Sequence, residues 1–407
     1  MALAMLALAA LIVPLQLAAL GALALAAAVL VDAASARHRP NIHRNMQATM
    51  ARGVPSSLTV ETESAGPGEV VVRQPQAPDI EVTPSQGTVN LDATVVARRR
   101  GRHMLPGVAT RHDGPLGLGR WFHRSGEDVE LLVYPDLPAA RRLAIAVRTG
   151  RFRDPGLRLR GQLGLGTEFE SIRDYLPDDD IRQVNWRATA RLGRPMSNQY
   201  RVEQDRDVIC AVDTGRLMGA PLGDRTRLDA ALDVVAAVAL VADEIGDRCG
   251  AVAFDAAIRR QLSPRRSGGD AVVRALFDVE PTATDSDYEL AFHTLAGAKR
   301  SFVLVLTDLL EPGAARPLME ALPILARRHA VVVASSTDPD LESLIRTPPA
   351  RIVDAYATSV AVEVLEARRL VTRRLRHAGV EVIEAPPNKL GGACVGAYLR
   401  AKARARL

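Results

Sequence analysis

From position 207 to 400, short apolar runs alternate with helical stretches. Residues 208–212 and 302–306 are unbroken apolar runs, the pattern of strands buried on both faces. Between them, 228–245 is an apolar helix that needs cover on most sides. Residues 251–254 read as a strand, with 258–262 as its hairpin partner. Residues 331–334 and 380–383 read as strands, and 270–277, 288–298, 314–328 and 359–378 as helices. Strands alternating with helices fold as a doubly wound, mostly parallel α/β sheet. Such sheets bind ligands beyond the carboxyl ends of their strands. Asp213 and Asp308 stand at two such ends.

The N-terminus sets the compartment. Residues 2–31 carry no charge, and only Gln16 is strongly polar. A helix of that length exceeds the ~30 Å hydrocarbon core. A secretory signal starts with basic residues and has a shorter apolar region. Segment 1–31 is therefore expected to be a transmembrane anchor. Arg37, Arg39 and Arg44 follow it, against one acid, Asp32. The positive-inside rule keeps that flank cytoplasmic. The expected location is the inner or plasma membrane, with the soluble domains in the cytosol.

Between 54 and 150 the chain alternates in short stretches broken by glycine and proline, with no helical run of useful length before 143. This reads as an all-β sandwich. The run Arg98, Arg99, Arg100 and Arg102 reads as a solvated strand end. Cys210, Cys249 and Cys394 lack the close spacing of a zinc or redox motif. The chain has 52 basic and 47 acidic residues, too small an excess over this length to point to nucleic acid.

Segment 161–206 links the two domains. It holds Gly166, Glu168 and Phe169, then Arg173, Asp174 and Tyr175. Asp178, Asp179, Asp180 and Arg182 follow, then Asn185, Trp186 and Arg187, and a closing Ala190 and Arg191. This order resembles the signature of the bacterial family called domain of unknown function 58. Asp174 stands where that family commonly has Glu, Asp178 replaces its usual Gly, and Asn185 stands where His or Asp is common. The resemblance extends to the anchor, to the 115–119 and 133–135 steps of the sandwich, and to 207–400. It implies a von Willebrand factor A-like fold for 207–400 and a MoxR-type AAA+ ATPase as partner. The family usually carries two membrane helices, where this chain has room for one.

In the signature, Glu168, Arg173, Asp174, Asp179, Asp180, Arg182, Arg187 and Arg191 place both charge signs beside Tyr175 and Trp186. Guanidinium and carboxylate groups at this density form ordered pairs. They either clamp the linker, with Trp186 buried, or present a recognition surface. An A-domain metal site would take Asp213, Thr284 and Asp308. The two serines of its Asp-x-Ser-x-Ser motif are Gly215 and Leu217 here. Magnesium needs about six oxygens, so this site is degenerate, no cofactor is expected and any magnesium is weakly held. Restoring Gly215→Ser and Leu217→Ser is expected to create magnesium binding. An aspartyl-phosphate mechanism on Asp213 and Asp308, with Lys299 nearby, is the alternative. Its acid/base position is Gly215. No serine-triad order, His-Glu-x-x-His or phosphate-loop motif occurs. The expected role is a membrane-anchored, non-catalytic adaptor in envelope or complex assembly.

Overall fold

The computed structural model describes residues 15–64, 67–153, 168–176, 179, 181–201, 205–309 and 315–403. Two compact units divide the chain, Met1–Val133 and Tyr134–Leu407.

The first unit holds the apolar helix and an all-β, sandwich-like body. The helix runs Leu15–Ala36, beyond the expected end at 31. Within it Ala19–Ala36 has a mean hydropathy of 2.0, enough in length and composition to cross a membrane. Leu17, Leu20, Leu23, Leu30 and Val31 are exposed along it. The strands expected around 58, 70, 80, 91 and 129 all form. Gly101–Leu105, Val108–Asp113 and Arg120–Ser125 join them. They pair antiparallel in three small sheets. Every second residue of Leu91–Ala97 is buried, and Leu58, Val60, Val72, Val95, Leu105 and Leu131 close the core. In the arginine run, Arg98 pairs with Glu81 at 2.6 Å and Arg102 with Glu130 at 3.1 Å. Arg100, expected in solvent, is instead buried.

In the second unit, six strands form the main sheet: β1 (Asp207–Asp213), β2 (Arg248–Phe254), β3 (Ile258–Arg266), β4 (Ser301–Leu306), β5 (Ala330–Ser336) and β6 (Glu381–Ala385). Their order is β3-β2-β1-β4-β5-β6. All neighbours are parallel except β3, which folds back on β2 as a hairpin. Val208, Cys210 and Val212 of β1 enter one core, and Ile209 and Ala211 enter the other. That division explains the unbroken apolar run.

Eight helices of this unit are α1 (Leu137–Arg148), α2 (Arg227–Glu244), α3 (Gly269–Leu276), α4 (Tyr288–Ala296), α5 (Arg316–Ala326), α6 (Pro339–Arg346), α7 (Ile352–His377) and α8 (Pro387–Ala403). Helices α1, α2, α3 and α8 pack on the first core, and α4, α5 and the end of α7 on the second. Helix α2 opens with a reciprocal cap. Thr226 Oγ1 accepts from Asp229 N–H at 3.1 Å, and Asp229 Oδ2 accepts from Thr226 N–H at 2.8 Å. Its residues are almost all buried, as its uniform apolarity requires.

Helix α1 corrects the sandwich boundary at 150. Asp136 caps it by accepting from Ala139 N–H, and Ala140, Ala144 and Val147 join the α/β core. The three cysteines are buried and reduced. Burial pushes the Cys394 thiol upward, so it is packing material.

Candidate functional site

In this sheet the strand order reverses between β1 and β4, where an open α/β sheet forms its ligand crevice. Asp213 closes β1 there, and Thr307 and Asp308 follow β4. Parallel strands in matched register, Cys210 beside Leu304, bring these ends level.

The Asp213 carboxylate is buried and fully engaged. Its Oδ1 accepts from Gly215 N–H at 2.8 Å and from the Ser286 hydroxyl. Its Oδ2 accepts from Tyr288 OH at 2.8 Å and from Thr307 Oγ1 at 2.6 Å. The Tyr288 and Thr307 oxygens lie 2.8 Å apart. Phe254 meets the Tyr288 ring edge-on at 5.6 Å between centroids. Burial, and then the Asp213 charge, push the Tyr288 phenol well above its ordinary range. It stays a neutral donor.

A carboxylate has about four lone-pair positions, and four donors take those of Asp213. Thr284 does not join them. Its side chain is exposed and lies 2.9 Å from Thr282 Oγ1. The hydroxyl that reaches Asp213 belongs to Ser286. A Cβ built on Gly215 would stand 2.2 Å from that Ser286 oxygen. Ser286 thus fills the space a serine at 215 would need, which corrects the expectation for Gly215→Ser. Thr214 turns the other way, and both its N–H and its hydroxyl donate to Phe254 O. Among the described residues, no group of three or more His, Cys, Asp or Glu side chains could hold a metal. The residues present do not fit a magnesium ion.

Asp308 belongs to a separate buried network. Its Oδ1 accepts from Arg227 Nη1 at 3.1 Å, from Arg368 Nη2 at 2.8 Å and from Ser335 Oγ at 3.3 Å. Arg368 Nη2 also donates to Ser336 O at 2.8 Å. Asp338 lies 3.6 Å from the other side of Arg227. The Asp308, Arg227 and Arg368 side chains are 1%, 6% and 2% exposed. Burial lowers the Arg227 pKa, and the Asp308 charge opposes that shift. Two guanidinium groups in so dry a place require the carboxylate.

The signature forms a two-stranded ribbon of its own. Glu168–Asp174 pairs antiparallel with Met196–Arg201, with Arg173 opposite Ser197. Arg173 grips Asp179 with both nitrogens, at 2.8 and 2.5 Å. Asp179 also accepts from Leu176 N–H at 2.9 Å, and its carbonyl accepts from Tyr175 OH at 3.0 Å. The Arg173 bond chiefly holds the Asp179 carboxyl below its ordinary value. Asn185 caps the short helix Trp186–Leu192, and its amide donates to Asn198 at 2.7 Å. Asp174 meets Arg194 at 3.3 Å in solvent.

Trp186 lacks the burial that the clamp reading required. It is 70% exposed, because its two-turn helix buries no residue. Arg187 and Arg191 are exposed beside it. Asp180 and the side chains of Glu168 and Arg182 lie outside the described residues.

Residues 171–381, just over half of the chain, match the family model described as protein of unknown function DUF58. The chain belongs to this family. An uncharacterised protein of Mycobacterium bovis and one of Mycobacterium tuberculosis are each 25% identical to it over 183 residues. Each match takes in 43% of this chain, which spans 56% of the length of those curated relatives.

The DUF58 match covers Asp213, Asp308 and most of the signature, but the partners of the two aspartates were not legible beforehand. Thr307 lies 94 positions from Asp213, and Arg368 lies 60 from Asp308. Buried arginine inside an otherwise apolar pattern was the available signal. Arg368 lies among buried Ala361, Val371 and Leu375 on α7.

Proposed function

We propose that this DUF58 chain is a membrane-anchored, cytosol-facing docking protein whose α/β unit is von Willebrand factor A-like and performs no catalysis at its strand ends. The saturation of Asp213 carries the reading. A carboxylate holding four donors has no lone pair free for a phosphoryl group or a metal, which argues against the phosphatase alternative. The sheet order with one antiparallel edge strand supports the A-domain likeness.

A docking role is supported by what the second unit exposes. The signature presents Trp186, Ile181, Leu176 and Leu192 to solvent beside Arg187 and Arg191. Exposed aromatic and arginine side chains are the commonest anchors of protein interfaces. Helix α7 adds Ile352, Val353, Tyr356 and Val360 along its first half. The family resemblance points to a MoxR-type AAA+ ATPase as the partner.

Trp186→Ala tests this directly. Because the ring is exposed, stability should stay within about 0.5 kcal/mol of the parent chain. Capture of the purified ATPase by the detergent-solubilised protein should fall at least tenfold, as for a hot-spot residue. Unchanged capture would remove the signature from the interface. Magnesium-dependent hydrolysis of an aryl phosphate, abolished by Asp213→Asn, would restore the phosphatase. Orientation is checked separately. Protease added to intact cells should leave 151–407 uncut, and cleavage there would reverse the topology.

A further inference from the structure

The apolar helix is locked to the sandwich at its C-terminal end. Asp32 is buried and accepts three backbone N–H bonds from one loop: Leu116 at 2.8 Å, Leu118 at 2.7 Å and Gly119 at 2.7 Å. Two glycines make the close approach possible. A Cβ on Gly119 would come 2.4 Å from Ala33 Cα, and one on Gly114 would come 2.4 Å from the Asp32 carboxyl. One turn further on, the Arg37 guanidinium lies 4.9 Å from the centre of the Trp121 ring. Arg39 donates to Arg124 O at 2.7 Å.

This loop and the start of the strand after it expose large apolar side chains. Leu116, Leu118, Trp121 and Phe122 are 63%, 48%, 42% and 70% exposed. Trp121 and Phe122 are consecutive in Arg120–Ser125 and lie on opposite faces of the strand, so they share the rim only along its open edge. Both are bare because that strand is the outermost of its sheet. Four large apolar groups on one rim exceed the scattered exposure normal for a soluble surface.

We propose that this rim, positions 116–122, is a lipid-contacting foot that seats the sandwich on the bilayer surface. The proposal rests on the reading that Leu15–Ala36 spans a membrane. The depths agree. Leu30 and Val31 are the last large apolar residues bare on the helix, and Asp32, next in line, is bonded to the amides of Leu116 and Leu118. Those two leucines stand where the acyl region ends. From Val31 to Ala36 the helix rises about 7.5 Å, and Arg37 follows directly, which puts Trp121 among the headgroups. Tryptophan and arginine are favoured at that level. A bilayer that receives the helix meets the foot at the same surface.

The chain has two tryptophans, Trp121 and Trp186, so Trp186→Phe leaves Trp121 as the only one. The full-length variant would be reconstituted into phosphatidylcholine–phosphatidylglycerol vesicles carrying lipids brominated either near the carbonyls or near the chain ends. Trp121 emission should be quenched by the shallow bromines and much less by the deep ones. Leu116→Asp with Leu118→Asp should lose most of that quenching while the protein still floats with the vesicles. Phe122→Ser should weaken it without adding charge. Unquenched Trp121 in a protein that floats with vesicles overturns the foot and leaves the anchor standing. Quenching that appears only at low protein density would assign the rim to a second copy instead. Failure to float at all would remove the spanning helix, and the foot with it.

Discussion

Replacing Asp308 with alanine should cost the full-length protein about 3–5 kcal/mol of stability, measured by chemical denaturation in detergent. Arg227 and Arg368 would then be left buried without the carboxylate they share. Asp338, at 3.6 Å from Arg227, compensates only one of them. Water cannot easily take over, because the side chains involved are 6% exposed or less. The origin of the loss is testable by removing the whole group. Asp308→Leu combined with Arg227→Met and Arg368→Met deletes the charges together, and an apolar cluster of similar volume is often as stable as a buried ionic one. The triple variant should therefore recover much of what Asp308→Ala loses. A loss below about 1 kcal/mol for Asp308→Ala would mean that the arginines find other acceptors or reach solvent on their own.

The sequence made the α/β order legible because its strands are buried on both faces. Nothing polar interrupts Ser301–Leu306 after its first residue, so strand periodicity and burial coincide. The sandwich strands were harder where only alternate residues face the core. Arg120–Ser125 buries one side chain, Ser125, and carries no apolar alternation. Helix α1 was hidden for a related reason. Its buried face is Ala140, Ala144 and Val147, too small to outweigh Arg141 and Arg142 in the reading. Its real signals were Asp136 as a cap and Pro138 in the first turn. At the site, strand ends located Asp213 and Asp308 without their partners. Those partners meet them through tertiary folding, and no local spacing encodes them. Trp186 was open to two readings from its charged surroundings, a buried clamp or a surface. Burial depends on what covers a residue, and a two-turn helix on a narrow ribbon offers no cover.

Magnesium and EDTA should each leave the melting temperature unchanged, whereas Asp213→Ala should cost about 2–4 kcal/mol through hydroxyls left unpaired. The difference follows from where the donors come from. Ser286, Tyr288 and Thr307 arrive from the segment entering α4 and from the end of β4. The carboxylate therefore ties β1 to two other parts of the unit, work that a metal performs elsewhere. Gly215→Ser with Leu217→Ser adds two hydroxyls, but the new side chain at 215 collides with Ser286 while Tyr288 and Thr307 keep Oδ2. Calorimetry should show no magnesium uptake by that variant. Tight magnesium binding by the unaltered chain would overturn the account. Alkali gives an independent check. The buried phenol keeps its proton while folded, whereas an unfolded tyrosine loses it near pH ~10. Ionisation then favours the unfolded chain, so the Tyr288 contribution is complete below that pH and falls as pH rises further. Tyr288→Phe should start from lower stability at neutral pH and lose less between pH 9 and 11. Equal alkaline losses in the two proteins would mean that the phenol is not held by Asp213 as described.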